Sequence, residues 1–227
     1  DGYKKFGSDN DIDTKVRKLI SEVRMSCADG YSVTVTFKYD EKGRLSYRHY
    51  TEREPESGAW SWDASYSYDN GYVREIIPND DDCWYRFSNG YVVESYNGEN
   101  RLTNYKYEQD KAVRADGSSY YYSWNWNDGD LVYLHLGGED ADDCSGSYTF
   151  YDIENKMNID FYDIWEFRFE GLFCFDRSVF PMFSSQHLLK SSSENHSYTY
   201  DIDDNGDVTG MTVYAGGERY HVSIDYY

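Results

Sequence analysis

The sequence of 227 residues predicts an all-β fold, an antiparallel meander of hairpins forming a strongly curved sheet or partly open barrel. Three observations predict it. Apolar and polar residues alternate with period two over most of the chain. Asn-Gly and Asp-Gly turns punctuate the alternating runs, the strongest short-range hairpin signal. No apolar run is long enough for a membrane helix.

Residues 1–12 are polar and rich in Gly and Asp, and read as a flexible lead-in to a single β domain at 13–227. Residues 15–27 are ambiguous. Val16, Leu19, Ile20, Val23 and Cys27 have helical spacing, while Leu19, Val23 and Met25 share a strand face. The Ala28-Asp29-Gly30 turn favours a strand, with a helix as the alternative. From 31 to 39, Tyr31, Val33, Val35, Phe37 and Tyr39 alternate with Ser32, Thr34, Thr36 and Lys38, a half-buried strand. Asp40 to Gly43 supplies the turn, and Leu45, Tyr47 and His49 resume the alternation.

Looser copies of this unit recur at Tyr68-Asp69-Asn70-Gly71, Phe87-Ser88-Asn89-Gly90, Trp126-Asn127-Asp128-Gly129 and Tyr200 to Val208. Their spacing is irregular, which excludes a fixed-period solenoid. Trp60, Trp62, Ala64, Tyr66 and Tyr68 line one strand face, and Tyr120, Tyr122, Trp124 and Trp126 line another. Residues 155–196 break the rhythm, and an irregular or short helical excursion near 176–193 is expected to cover the sheet. Three strands close the chain, ending on Tyr220, Val222, Ile224 and Tyr226.

Charge narrows the function. Asp and Glu number 42 against 22 Lys and Arg, a net charge of −20, which repels phosphate backbones and argues against nucleic acid as a partner. The bland account of these acids is that they solvate loops and outer strand faces. The chain begins at Asp1, compatible with a leader removed upstream. Cys27, Cys83, Cys144 and Cys174 have no metal spacing. Cys83 and Cys144 each follow an acidic loop and form the first disulfide to test, against four buried thiols.

Candidate sites are few. Asp201, Asp203, Asn205 and Asp207 follow the first half of a calcium loop, but the twelfth position is Thr212 and the flanks read as strands. A hairpin turn of the Asx type is the favoured reading, with calcium the alternative. Glu139, Asp140, Asp142 and Asp143 form a second acidic cluster, read as a solvated loop. No other cofactor is indicated. The pairs Trp60 with Trp62, and Trp124 with Trp126, together with Tyr122, would stack sugar rings if exposed. Their apolar neighbours favour burial. No nucleophile elbow, phosphate loop or zinc motif is present.

The Tyr-Asp-x-x-Gly-Arg-Leu stretch from Tyr39 to Leu45 resembles the Tyr-Asp repeat of bacterial Rhs-type surface proteins. The longer pattern runs from repeated hairpins, through Asn155 to Asp160 and a Ser-rich stretch, to a last strand reading Val222-Ser223-Ile224-Asp225-Tyr226. It is similar to a family of secreted Bacteroidetes lipoproteins of unknown function with a porin-like β fold. The resemblance implies a curved or barrel-like sheet, a secreted or cell-envelope address and a lipid anchor outside this chain. It implies no catalytic residues.

A non-enzymatic envelope domain that binds a glycan or an envelope protein through an aromatic-rich face is the expected function. A carbohydrate-active hydrolase with paired carboxylates and a surface-assembly scaffold are the alternatives. A membrane-spanning barrel is not expected, because the strand faces opposite the aromatics carry Ser, Thr, Asp, Arg and Lys.

Overall fold

The computed structural model describes residues 18–78, 83–97, 101–138, 144–160 and 175–227. The strands in the first half are β1 (Ile20–Cys27), β2 (Ser32–Tyr39), β3 (Leu45–Glu54), β4 (Gly58–Asp69), β5 (Tyr72–Ile76), β6 (Cys83–Ser88), β7 (Tyr91–Asn97), β8 (Arg101–Glu108) and β9 (Lys111–Asp116). Those in the second half are β10 (Tyr120–Asn127), β11 (Asp130–Gly138), β12 (Cys144–Glu154), β13 (Ile159–Asp160), β14 (Phe175–Asp176), β15 (His187–Ser192), β16 (Ser197–Ile202), β17 (Val208–Ala215) and β18 (Glu218–Tyr226).

Among the described residues, all but β13 and β14 close into one antiparallel barrel, each strand beside its neighbour in the chain. The seam is β1 against β18, with Val23 opposite Ile224 and Met25 opposite Val222. The barrel is therefore closed rather than partly open. The segment at 15–27 resolves in favour of a strand from Ile20 onward.

The turns follow from their residues. Asn70-Gly71, Asn89-Gly90 and Asp128-Gly129 all have positive φ at both positions, the backbone of the two-residue turns that match strand twist. Asp40 and Asp203 head longer loops of one design. The Asp40 Oδ1 accepts the amides of Lys42 and Arg44, and the Asp203 Oδ1 those of Asn205 and Asp207, each at 2.9 Å.

All these turns lie at one end of the barrel, and the segment between β12 and β15 closes that end. It contributes the small β13–β14 sheet and a 3-10 turn, Pro181–Phe183. Barrels of this strand number are wide enough to leave a channel, so wall side chains alone do not fill them. Here Val179, Phe180, Met182 and Phe183 are buried, with Phe180 packed on Tyr85 and Phe87, and Phe183 on Tyr105 and Trp124. The plug is pinned through polar groups that cap strand ends. Asn158 accepts the Ile20 amide at 2.9 Å, Asp176 the Leu45 amide at 2.8 Å and Ser185 the Leu131 amide at 3.0 Å. Arg177, buried, donates to the carbonyls of Asn155, Met157 and Ser185.

A second set of bonds explains much of the tyrosine. Tyr39, Tyr68, Tyr107, Tyr200 and Tyr226 each donate a hydroxyl to a backbone carbonyl near the end of the adjacent strand, at Ile20, Leu45, Val92, Leu189 and Val208. Each ring lies against the core while its hydroxyl satisfies a carbonyl that would otherwise compete for water.

Two expectations are corrected. The stretch 187–192 is barrel strand β15, not part of an irregular or helical excursion, which ends at 186. Its consecutive buried residues Leu188 and Leu189 hide the period-two signal, because the pairing with β12 shifts register there. On β3, Tyr47 and His49 do not share the face of Leu45. A register shift against β2 reverses the parity, so Arg48, Tyr50 and Glu52 point inward. The lead-in at 1–12 and the acidic cluster at 139–143 lie outside the described residues.

Candidate functional site: the aromatic end of the barrel

The end opposite the plug is built on β2, β3 and β4. Their inward faces stack in layers, with Val33 opposite Glu52 and Glu52 opposite Trp60, then Val35 opposite Tyr50 and Tyr50 opposite Trp62. Accessibility falls steeply along β4. Trp60 is 50% exposed, Trp62 half-buried and Ala64 fully buried. Tyr50 is the hub. Its ring stacks on Trp62 at 5.2 Å and 23°, and meets Trp60 at 5.4 Å and 42°.

The polar groups of this end are few and fixed. The Tyr50 hydroxyl donates to Glu52 at 2.8 Å. Burial, together with the Glu52 carboxylate beside them, pushes the Tyr31 and Tyr50 phenols well above their ordinary range, so both keep their protons. Beneath Trp62 lies the Arg48 guanidinium, 4.6 Å from the ring centroid. Arg48 in turn pairs with the fully buried Glu75 at 2.7 Å, which also accepts from Tyr66 at 2.6 Å. The Cys27 thiol at the same end donates to Asp29 at 2.6 Å and is pushed up by burial, which makes it a poor nucleophile. The arrangement offers flat apolar faces with a carboxylate at their edge.

The predicted aromatic residues separate into two groups. Trp60 and Trp62 reach the end opposite the plug. Tyr122 and Trp124 are buried, Trp124 being 2% exposed beneath the plug, and Trp126 donates its indole N–H to the Ala112 carbonyl at 2.6 Å. Tyr31, Tyr50 and Glu52 were missed by sequence reasoning. The signal was Tyr50 and Glu52 two apart on one strand, masked by the parity change on β3.

Asp203 spends its carboxylate on its own loop, whose amides, that of Asp207 first, hold it below its usual range. Asp207 is 2.6 Å from the Lys18 ammonium. Asp201 stands exposed on β16, and Asn205 is exposed in the turn. Among the described residues no three His, Cys, Asp or Glu side chains converge as metal ligands. Cys83 on β6 and Cys144 on β12 have five strands between them in the barrel order. Buried carboxylates have partners of their own: Glu75 has Arg48, Glu94 has Arg86 and Arg101, and Asp130 has His187.

No protein-family model matches the chain, and no curated protein is similar to it in sequence. Its architecture does have solved counterparts. The chain is similar in fold to porin-like proteins of Bacteroides. One, from Bacteroides uniformis, superposes with a TM-score of 0.66 at 14% identity, covering 92% of this chain and 98% of that one. Another, from Bacteroides vulgatus, gives 0.58 at 11% identity, covering 92% and 99%. At these identities the likeness is one of fold. It supports the porin-like part of the resemblance; the lipoprotein address and the Tyr-Asp repeat rest on sequence motifs alone. Among the described residues of this porin-like barrel, no helix is long and apolar enough to cross a membrane.

Proposed function

We propose that the protein is a non-enzymatic barrel of the bacterial cell envelope that binds a glycan on the Tyr50–Trp60–Trp62 shelf. The observation that carries this reading is Trp60, half exposed on the inward face of β4 and packed against Tyr50. A large ring left in water at a barrel end, with a carboxylate two residues from its partner, matches what stacking on a pyranose requires. Porin-like relatives from Bacteroides favour the envelope address. The outer wall favours a barrel standing in water. Glu22 and Arg24 on β1, Thr34 and Lys38 on β2, and Ser61 and Asp63 on β4 occupy positions where a lipid-facing barrel carries an apolar band.

The test is a glycan array read with the wild type, Trp60→Ala and Trp62→Ala. Retention on one class of glycan that both substitutions abolish is the expected result. An array profile identical for all three proteins would remove the basis of the reading.

A further inference from the structure

On the outside of the barrel, four side chains lie in one row across four strands. Arg74 on β5 is opposite Trp84 on β6, Trp84 is opposite Tyr96 on β7, and Tyr96 is opposite Arg101 on β8. Two aromatic plates are thus bracketed by a guanidinium at each end. The Trp84 and Tyr96 ring centroids are 5.9 Å apart and inclined by 30°, and Tyr72 meets the other side of Trp84 at 5.5 Å, edge to face. In the adjoining row, Arg86 donates to Glu94 at 2.9 Å, and Arg101 pairs with the same carboxylate. Glu94 is buried, so it acts as a tether for two arginines and leaves the pair with one positive charge in excess.

We propose that this wall is a binding site for an acidic polysaccharide carrying carboxylate groups. Three strand spacings of about 4.8 Å separate the bracketing arginines, roughly 14 Å, a length of a few sugar rings. The rings would stack on Trp84 and Tyr96 while the acid groups meet Arg74, whose guanidinium lies 4.8 Å over the Tyr72 ring, and the outer N–H groups of Arg101, whose Nε and Nη2 are held by Glu94. With the whole chain at −20, attraction of an anion is local to this wall and not a property of the overall field. A second copy of this chain is a poorer occupant. A stable protein interface takes about 800 Å² per partner, whereas this strip is one side chain deep and meets the hydroxyl of Ser67 at its β4 flank.

The site is separate from the Trp60 shelf, and the test keeps the two apart. Binding of polygalacturonate is measured by calorimetry at low ionic strength, with dextran as the neutral control, and circular dichroism checks each variant. Trp84→Ala and Arg101→Gln are each expected to weaken polygalacturonate binding about fivefold or more, with Trp60→Ala unchanged. Arg101 is largely exposed, so its variant decides the matter even where Trp84→Ala perturbs the wall. Absence of polygalacturonate binding by the wild type overturns the proposal, as does binding indifferent to both wall variants. A concentration-dependent dimer that Arg101→Gln dissolves, seen by sedimentation, would assign the wall to self-association and overturn it as well.

Discussion

The Leu45 amide donates to Asp176 Oδ2 at 2.8 Å, and the Leu45 carbonyl accepts from the Tyr68 hydroxyl at 2.6 Å. One residue at the start of β3 is thereby tied both to the plug and to the neighbouring wall strand. Ile20 repeats the arrangement, with Asn158 on its amide and Tyr39 on its carbonyl. Asn158 also donates to the Tyr39 hydroxyl at 2.9 Å, so there the plug and the tyrosine set form one network.

Asp176→Ala removes the buried acceptor for the Leu45 amide and for the amide and hydroxyl of the exposed Ser178. A loss of about 2–4 kcal/mol in urea denaturation is expected. Burial raises the Asp176 carboxyl above its usual range. A raised native pKa contributes stability that is fully present below the unfolded value and is lost as pH rises through the native value. The stability of the wild type relative to Asp176→Asn should therefore decline as pH is raised above the unfolded carboxyl value of about 4, a trend opposite to that of a salt-bridged carboxylate.

Tyr68→Phe deletes one hydroxyl and leaves the Leu45 carbonyl without that donor. The expected cost is about 1 kcal/mol. Tyr226→Phe, which releases the Val208 carbonyl, should cost a similar amount. The double variant should be additive, because the two bonds share no partner, and a coupling energy above about 0.5 kcal/mol would contradict this.

The Arg48–Glu75 pair is buried on both sides. Glu75→Ala strands a charged guanidinium under Trp62 and should cost about 3–5 kcal/mol by chemical denaturation. Replacing both residues together with apolar side chains of similar volume should cost much less. That contrast identifies the pair as a mutual dependence rather than a large net source of stability.

The tryptophans should divide in the same assay. Trp124→Ala opens a cavity beneath Phe183 and should cost about 3–5 kcal/mol. Trp60→Ala, at the half-exposed end of β4, should stay within about 1 kcal/mol of the wild type. A small stability change with lost glycan retention marks a binding residue, and equal losses for both tryptophans would make Trp60 structural.

The legible part of the fold was local. Alternation and Gly-bearing turns report on adjacent residues, and they marked the hairpins of β2 with β3, β4 with β5 and β6 with β7. Closure was not legible, because nothing in Val23 or Ile224 names the other as its partner; that pairing emerges only when the whole sheet curls. The register shift on β3 was equally hidden, since one residue out of step reverses a face without altering composition. Trp60 and Trp62 were visible as a pair on β4, but Tyr50 and Glu52 belong to their face only after that shift. Tyrosine abundance was visible too, while its structural use in Tyr39 and Tyr68 depends on carbonyls one strand away.

The β1–β18 seam has a kinetic consequence. The ladder runs from Ile20 opposite Tyr226 to Cys27 opposite Tyr220 across one irregularity, so among the described residues the barrel strands present no unpaired edge for templated stacking into fibrils. A nascent chain, by contrast, carries two bare edges until β18 emerges to meet β1, and that late, sequence-distant zipping is expected to slow folding.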